Sequence, residues 1–278
     1  MPQPPATLFH YTSQAGLLGI LGSNEIWATE IRYLNDSSEY FIALDHAVDL
    51  IYKDYIHLAN KAARRRIEHL LRPIRGLENL AICVCSFSEK DDLLSQWRAY
   101  ASSPGSYSIG LDSKHLSRIA AQQGFTLQKC VYDNKTQTKL VAREVKKALN
   151  AQAEISAGAT STRRKGEQIR SAALACSLAI AKLAPVIKSS AFYEEQEWRL
   201  ISNAAVDLDR LRFRPGQSML IPYSALQLGT AREQYLRSLT IGPSPHEELA
   251  EHATRRLLAH YSVPSVTIQS SVAPYRGW

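Results

Sequence analysis

Glu194, Glu195 and Glu197 place three carboxylates within four residues, and the chain then runs directly into Trp198-Arg199-Leu200-Ile201. The second stretch reads as a strand, in which side chains alternate between faces. Alternation puts Glu195, Glu197 and Arg199 on one face, and Gln196, Trp198 and Leu200 on the other. Two acids beside a base form either an ion-pair ladder or a site. As a site, a carboxylate facing a developing cation stabilises an oxocarbenium-like state, the logic of glycoside chemistry. A second acid two positions away can orient or deprotonate a nucleophile. Glu194 reads as a solvated neighbour.

Three other segments carry chemistry-bearing types. Phe9-His10-Tyr11-Thr12 opens the first strand; a lone His there is ordinarily a packed, hydrogen-bonded residue. Arg32-Tyr33-Leu34-Asn35-Asp36 with Glu39 resembles a capping box, which accounts for Asp36 and Glu39 but not for Arg32 and Tyr33. The third is Ser86-Phe87-Ser88-Glu89 followed by Leu93–Tyr100, in which Trp97 and Tyr100 stand three apart on one helix face, flanked by Gln96 and Arg98. Core packing explains Trp97 but not the charge beside it. His, aromatic, Arg and strand Glu together suit a nicotinamide dinucleotide. Rings stack on nicotinamide, His binds ribose hydroxyls, Arg pairs with pyrophosphate, and the carboxylate takes the ribose 2′-OH. The sequence contains no Gly-x-Gly-x-x-Gly, P-loop, Gly-x-Ser-x-Gly or His-Glu-x-x-His pattern, and no metal site is expected.

The elements that position these groups read as short strands over 8–12, 26–29, 79–87, 107–111, 125–132, 197–202, 210–213, 219–221, 238–241 and 266–269. Helices are predicted over 14–21, 38–71, 113–123, 135–157, 165–188 and 243–260, with a short one from Asp91 or Asp92 to Tyr100. Ser13 is the predicted N-cap of the first helix, and Gly22-Ser23-Asn24 its end. Strands and helices neither alternate strictly nor segregate, which argues for an α+β fold. We expect a single domain over 1–278 with a helical insertion over 135–190.

The 278 residues carry 33 Lys and Arg against 26 Asp and Glu, a formal net charge of +7, which suits nucleic-acid or nucleotide-phosphate partners without requiring them. The four cysteines, Cys83, Cys85, Cys130 and Cys176, lack zinc spacing and read as reduced, packed thiols. With no signal pattern in 1–7 and a broken apolar run over 172–186, a cytoplasmic location without membrane contact is expected.

Several segments resemble a bacterial family, domain of unknown function 2971: Phe9-His10-Tyr11-Thr12-Ser13, Ile26-Trp27-Ala28-Thr29, Tyr33-Leu34-Asn35-Asp36, Cys85-Ser86-Phe87-Ser88, Asp92 through Tyr100, Tyr107-Ser108-Ile109-Gly110, Glu195-Gln196-Glu197-Trp198-Arg199, Ile241-Gly242-Pro243 and Pro274-Tyr275-Arg276. The order of a first-strand His, a Ser/Tyr segment and a late strand Glu is similar to ADP-ribosyltransferases with a His-Tyr-Glu motif, including DNA-modifying toxins. That resemblance implies a split mixed β-sheet core with flanking helices, and NAD as substrate. It also implies a toxin or phage-defence setting and a nucleic-acid or protein acceptor. By the same resemblance, His10 with Tyr11 holds the nicotinamide ribose. Tyr100 or Tyr107 stacks on nicotinamide, Arg32 or Arg98 holds the pyrophosphate, and Glu197 or Glu195 is catalytic. Two alternatives stand beside it. One is a non-catalytic nucleotide-sensing or partner-binding module, in which the Glu195/Glu197/Arg199 face pairs with Arg32 or Arg98. The other is a metal-dependent nuclease.

Overall fold

The computed structural model describes residues 2–34, 80–100, 105–158 and 162–274, with isolated positions between 44 and 68. Most of the predicted helix over 38–71, and the capping box at Asp36 and Glu39, lie outside the described residues, and the isolated described positions in that span are helical.

The chain opens with β1 (Thr7–Thr12) and α1 (Gln14–Ser23). Ser13 caps α1 as expected: its backbone is extended and its Oγ accepts from the Gly16 N–H. Asn24 ends the helix in the left-handed region at φ 54°, donating its N–H to Ile20 O. There follow β2 (Glu25–Glu30), β3 (Cys83–Phe87), α2 (Leu94–Tyr100), β4 (Tyr107–Asp112), α3 (Ser113–Gln122) and β5 (Phe125–Lys129). Two long helices come next, α4 (Asn134–Gly158) and α5 (Thr162–Leu183). The rest is mainly strand: β6 (Trp198–Ser202), β7 (Arg212–Pro215), β8 (Leu220–Gln227), β9 (Leu236–Ile241), α6 (Glu247–His260) and β10 (Thr267–Ser270).

Among the described residues the strands form two sheets, so the fold is mixed α+β. One sheet has the order β1-β4-β9-β10, and the other the order β5-β6-β3-β2-β8-β7. The β9–β10 pair is parallel; the other ladders are antiparallel. A single antiparallel bridge, Phe9 with Ser88, stitches β1 of the first sheet to the end of β3 in the second.

Strand alternation sorts the core. In β3, Cys83, Cys85 and Phe87 face a cluster containing Leu8, Ile109 and Leu239 from the other sheet, together with Leu17 of α1 and Leu116 of α3. Val84 faces the opposite way, into a second cluster with Ile201 of β6, Val141 and Val145 of α4, and Ala173, Cys176 and Ile180 of α5. Trp198 and Leu200 join the first cluster, the expected packing behind the acidic row.

Several readings change, among them the bounds of β3, β5, β7 and β8. The strand predicted from Glu197 begins at Trp198; Glu195 instead ends a 3₁₀ helix (Ser190–Glu195), and Gln196 is left-handed at φ 44°. Residues 166–186 are long and apolar enough to cross a membrane, with hydropathy 1.5, although the run was expected to be too broken. Its apolar side is occupied by α4: Ala173, Cys176, Ile180 and Ala181 are buried in the second cluster.

Candidate functional site

Where the two sheets part beside the Phe9–Ser88 bridge, a cleft of about 50 Å³ opens. Its lining includes His10 of β1, Ser86 of β3, Gln96 of α2, and Lys188, Glu195, Glu197 and Arg199 around the start of β6. These pieces meet because β3 is flanked on one side by β6, with Ser86 opposite Arg199, and is bridged at its end to β1.

At the centre lies a buried ionic network. Arg199 grips Glu197 with two bonds, Nε to Oε1 at 2.7 Å and Nη2 to Oε2 at 3.0 Å. Lys188 Nζ donates to Glu197 Oε2 and to Glu195 Oε2, each at 2.6 Å. Glu197, Arg199 and Lys188 are each at most 4 % exposed. Burial alone would raise the Glu197 carboxyl, but the Arg199 and Lys188 cations hold it down at about 2. Burial would lower the Lys188 ammonium, yet Glu197 and Glu195 keep it well above its ordinary value. A carboxylate offers about four lone-pair sites, and three on Glu197 are taken by these cations, leaving room on Oε1.

Backbone bonds fix the network. Glu197 N donates to the Tyr132 hydroxyl at 2.8 Å, and Arg199 Nη1 to Pro185 O at 2.8 Å. Gln137 Nε2 donates to Lys188 O at 2.8 Å and to Val131 O at 2.6 Å, so α4 anchors the lysine. Ser88 Oγ donates to Glu195 O at 2.8 Å, tying the 3₁₀ helix to the sheet bridge.

His10 bonds through Nδ1 to Ser86 O at 3.0 Å. A carbonyl can only accept, so Nδ1 carries the proton. Burial pushes the imidazole below its ordinary value, against the Ser86 bond, which raises it. The ring is therefore neutral, and Nε2 is a bare acceptor. The Ser86 hydroxyl and the Gln96 amide line the cleft with no hydrogen-bond partner among the described residues.

The other predicted residues divide. Tyr11 reaches the cleft wall, but its hydroxyl already donates to Lys90 O and accepts from Leu93 N, each at 2.9 Å, and its ring packs edge-on against Trp97. Tyr107 is 7 % exposed and away from the cleft, hydrogen-bonded to Thr254 Oγ1 at 3.0 Å; β4 alternation turns it into the first core cluster. Arg98 is exposed, and Gln96 of the same helix supplies the lining instead. Arg32 pairs with Glu30 Oε1 at 2.5 Å and is not part of the lining. Tyr100 ends α2, and its side chain lies outside the described residues. Arg199 pairs with Glu197 within the acidic row, as an ion-pair ladder requires, and Lys188 rather than Arg32 or Arg98 is the cation from outside the row in the cleft lining.

Sequence reasoning missed Lys188 as a cleft residue, while Ser86 and Gln96 lay in a segment it singled out but received no individual role. Lys188 is the last residue of the helix predicted over 165–188, and nothing local marks it as buried. Ser86 carried a signal in its alternation with Cys85 and Phe87, both of which face the core. Among the described residues no group of three His, Cys, Asp or Glu side chains is placed to hold a metal ion.

Residues 96–200 match the family described as Protein of unknown function (DUF2971), which supports the resemblance to that family over this stretch. The match takes in Gln96, Lys188, Glu195, Glu197 and Arg199, and leaves His10 and Ser86 outside. No curated protein and no solved structure matches the chain.

Proposed function

We propose that the cleft is the site of an NAD-dependent ADP-ribosyltransferase built on a split-sheet core. The observation that carries this reading is the meeting of a first-strand His, a strand Ser and the Glu195/Glu197 pair where the two sheets part. In the transfer, the bond between ribose C1′ and the nicotinamide nitrogen breaks, and its electron pair leaves with neutral nicotinamide. The acceptor's nucleophile bonds to C1′ and gives up its proton. Glu197 stays ionised through this step, so it supplies negative charge to the oxocarbenium-like centre and accepts a ribose hydroxyl at its open site. Its low pKa rules it out as the base. Proton uptake falls to Glu195, the second carboxylate of the lining, which Lys188 holds beside Glu197. His10 Nε2 accepts the second ribose hydroxyl, and Ser86 and Gln96 supply further bonds. Phe9 is the half-buried ring of the lining that replaces Tyr107 as the candidate for stacking.

Two observations favour a second reading, a non-catalytic nucleotide-sensing or partner-binding module. Both Glu197 oxygens already carry cations. The 50 Å³ cleft is also small beside the roughly 300–1,000 Å³ of ordinary ligand pockets. A dinucleotide enters only if the 187–196 wall shifts. The two readings separate on incubation with NAD. Release of nicotinamide by wild type, lost in Glu195→Gln while that variant still melts as wild type does, supports the transferase. Saturable NAD binding without release supports the module.

A further inference from the structure

The far end of the six-stranded sheet carries a face that core packing leaves unexplained. Residues paired directly across a ladder share a face. Val84 pairs with Thr29, Thr29 with Tyr223, and Tyr223 with Arg212; Trp27 pairs with Ala225, and Arg214 with Ile221. Trp27, Tyr223, Arg212 and Arg214 therefore stand on the same side of the sheet as Val84 and, two residues on, Ser86 of the cleft.

Trp27 is 43 % exposed and stacks on Tyr223, with ring centroids 4.4 Å apart and planes at 29°. A buried Tyr thus supports an outward-facing Trp. Two arginines flank the pair on the edge strand. Arg212 is exposed and makes a solvent-accessible pair with Glu25 at 2.9 Å. Arg214 makes one bond, at 3.5 Å to Thr29 Oγ1, and its Nε is buried without a partner among the described residues. A guanidinium has five N–H donors, so most of those on Arg214 remain available. Strands lie about 4.8 Å apart, which places β8 and β7 roughly 10 and 15 Å from β3.

We propose that this Trp27–Tyr223–Arg212–Arg214 face binds single-stranded nucleic acid, at the end of the sheet beyond the helices that cover Val84. A supported, exposed indole is a stacking platform for an unpaired base, and edge arginines meet the phosphates. Duplex bases are already stacked and cannot use it. The net charge of +7 has the matching sign. That the strand is also the acceptor rests on the transferase reading; the binding itself does not.

The test uses the whole chain without NAD, so its failure and that of the transferase reading are distinguishable. Fluorescence anisotropy is read with labelled oligothymidylate and oligouridylate of about 12 nucleotides, and with a duplex of equal length. Single strands bind more tightly than duplex. Trp27→Ala loses at least about fivefold in affinity, and Trp27→Phe retains most of it. Arg212→Gln with Arg214→Gln flattens the log–log salt slope by about 1.4. Each variant is taken forward with a wild-type melting curve; if the pair fails this, Arg212→Gln alone is used, with an expected flattening of about 0.7. Absence of saturable oligonucleotide binding at about 50 mM salt overturns the inference and turns the face toward a protein partner. Equal affinity of wild type and Trp27→Ala overturns it as well.

Discussion

Glu197 shows how one side chain's environment limits its chemistry. Its carboxyl sits at about 2 against an ordinary 4.5, because Arg199 and Lys188 outweigh burial. The depressed value means that the folded state binds its proton more weakly than the unfolded chain does. The network's stabilisation is therefore complete above about pH 4.5 and is lost as pH falls toward 2. Glu197→Gln removes the charge and leaves Lys188 and Arg199 buried with less compensation, a loss of about 3–5 kcal/mol at neutral pH. Thermal melts from neutral to acid pH check both parts: the variant melts lower at pH 7, and the gap narrows as the acid limb of wild type is entered. A constant gap across that range contradicts the assignment of the ionised state. His10 has the same sign in another window. Burial lowers its pKa from 6.5, so its neutral form supports the fold above that value and opposes folding as pH falls below it.

At the scale of elements, α5 poses the sharpest question, since its composition also suits a membrane. Its buried side, Ile180 at 0 % exposure, faces the sheet and α4, while Leu178 is 44 % exposed. Ile180→Ala should cost about 2–5 kcal/mol in chemical denaturation. Leu178→Ala should stay within about 1 kcal/mol. Equal costs, or a larger one at Leu178, would contradict the observed α4–α5 packing. Much of this level was legible in the sequence. Ser13, the strand alternation around Cys83 and Cys85, and the two long helices were readable because capping and periodicity are local signals. The bounds of β6 were not. The run from Glu195 to Arg199 looks extended throughout, but a left-handed turn at Gln196 interrupts it, and tertiary contacts through Lys188 and Ser88 hold that turn.

For the molecule as a whole, the sequence order of His10, Ser86 and Glu195/Glu197 becomes a spatial cluster because one strand, β3, touches both β1 and β6. His10 and the acids were legible as candidates because their types are distinctive. Tyr107 and Arg98 were misplaced because facing depends on what packs behind a strand or helix. β4 turns Tyr107 toward α6, and α2 buries Trp97 and thereby carries Arg98 outward. Lys188 could not be read at all: a buried ammonium is stable only beside carboxylates seven and nine residues away, and their proximity is a product of the fold.

The transferase reading stands on NAD chemistry at this cleft. The most direct measurement is nicotinamide release from NAD by purified protein, with and without single-stranded oligonucleotide, for wild type and Glu195→Gln. The prediction is release by wild type, accelerated by the oligonucleotide, and a loss of at least about a hundredfold in a Glu195→Gln chain that melts normally. Intact NAD under every condition, or equal release by both chains, would contradict it.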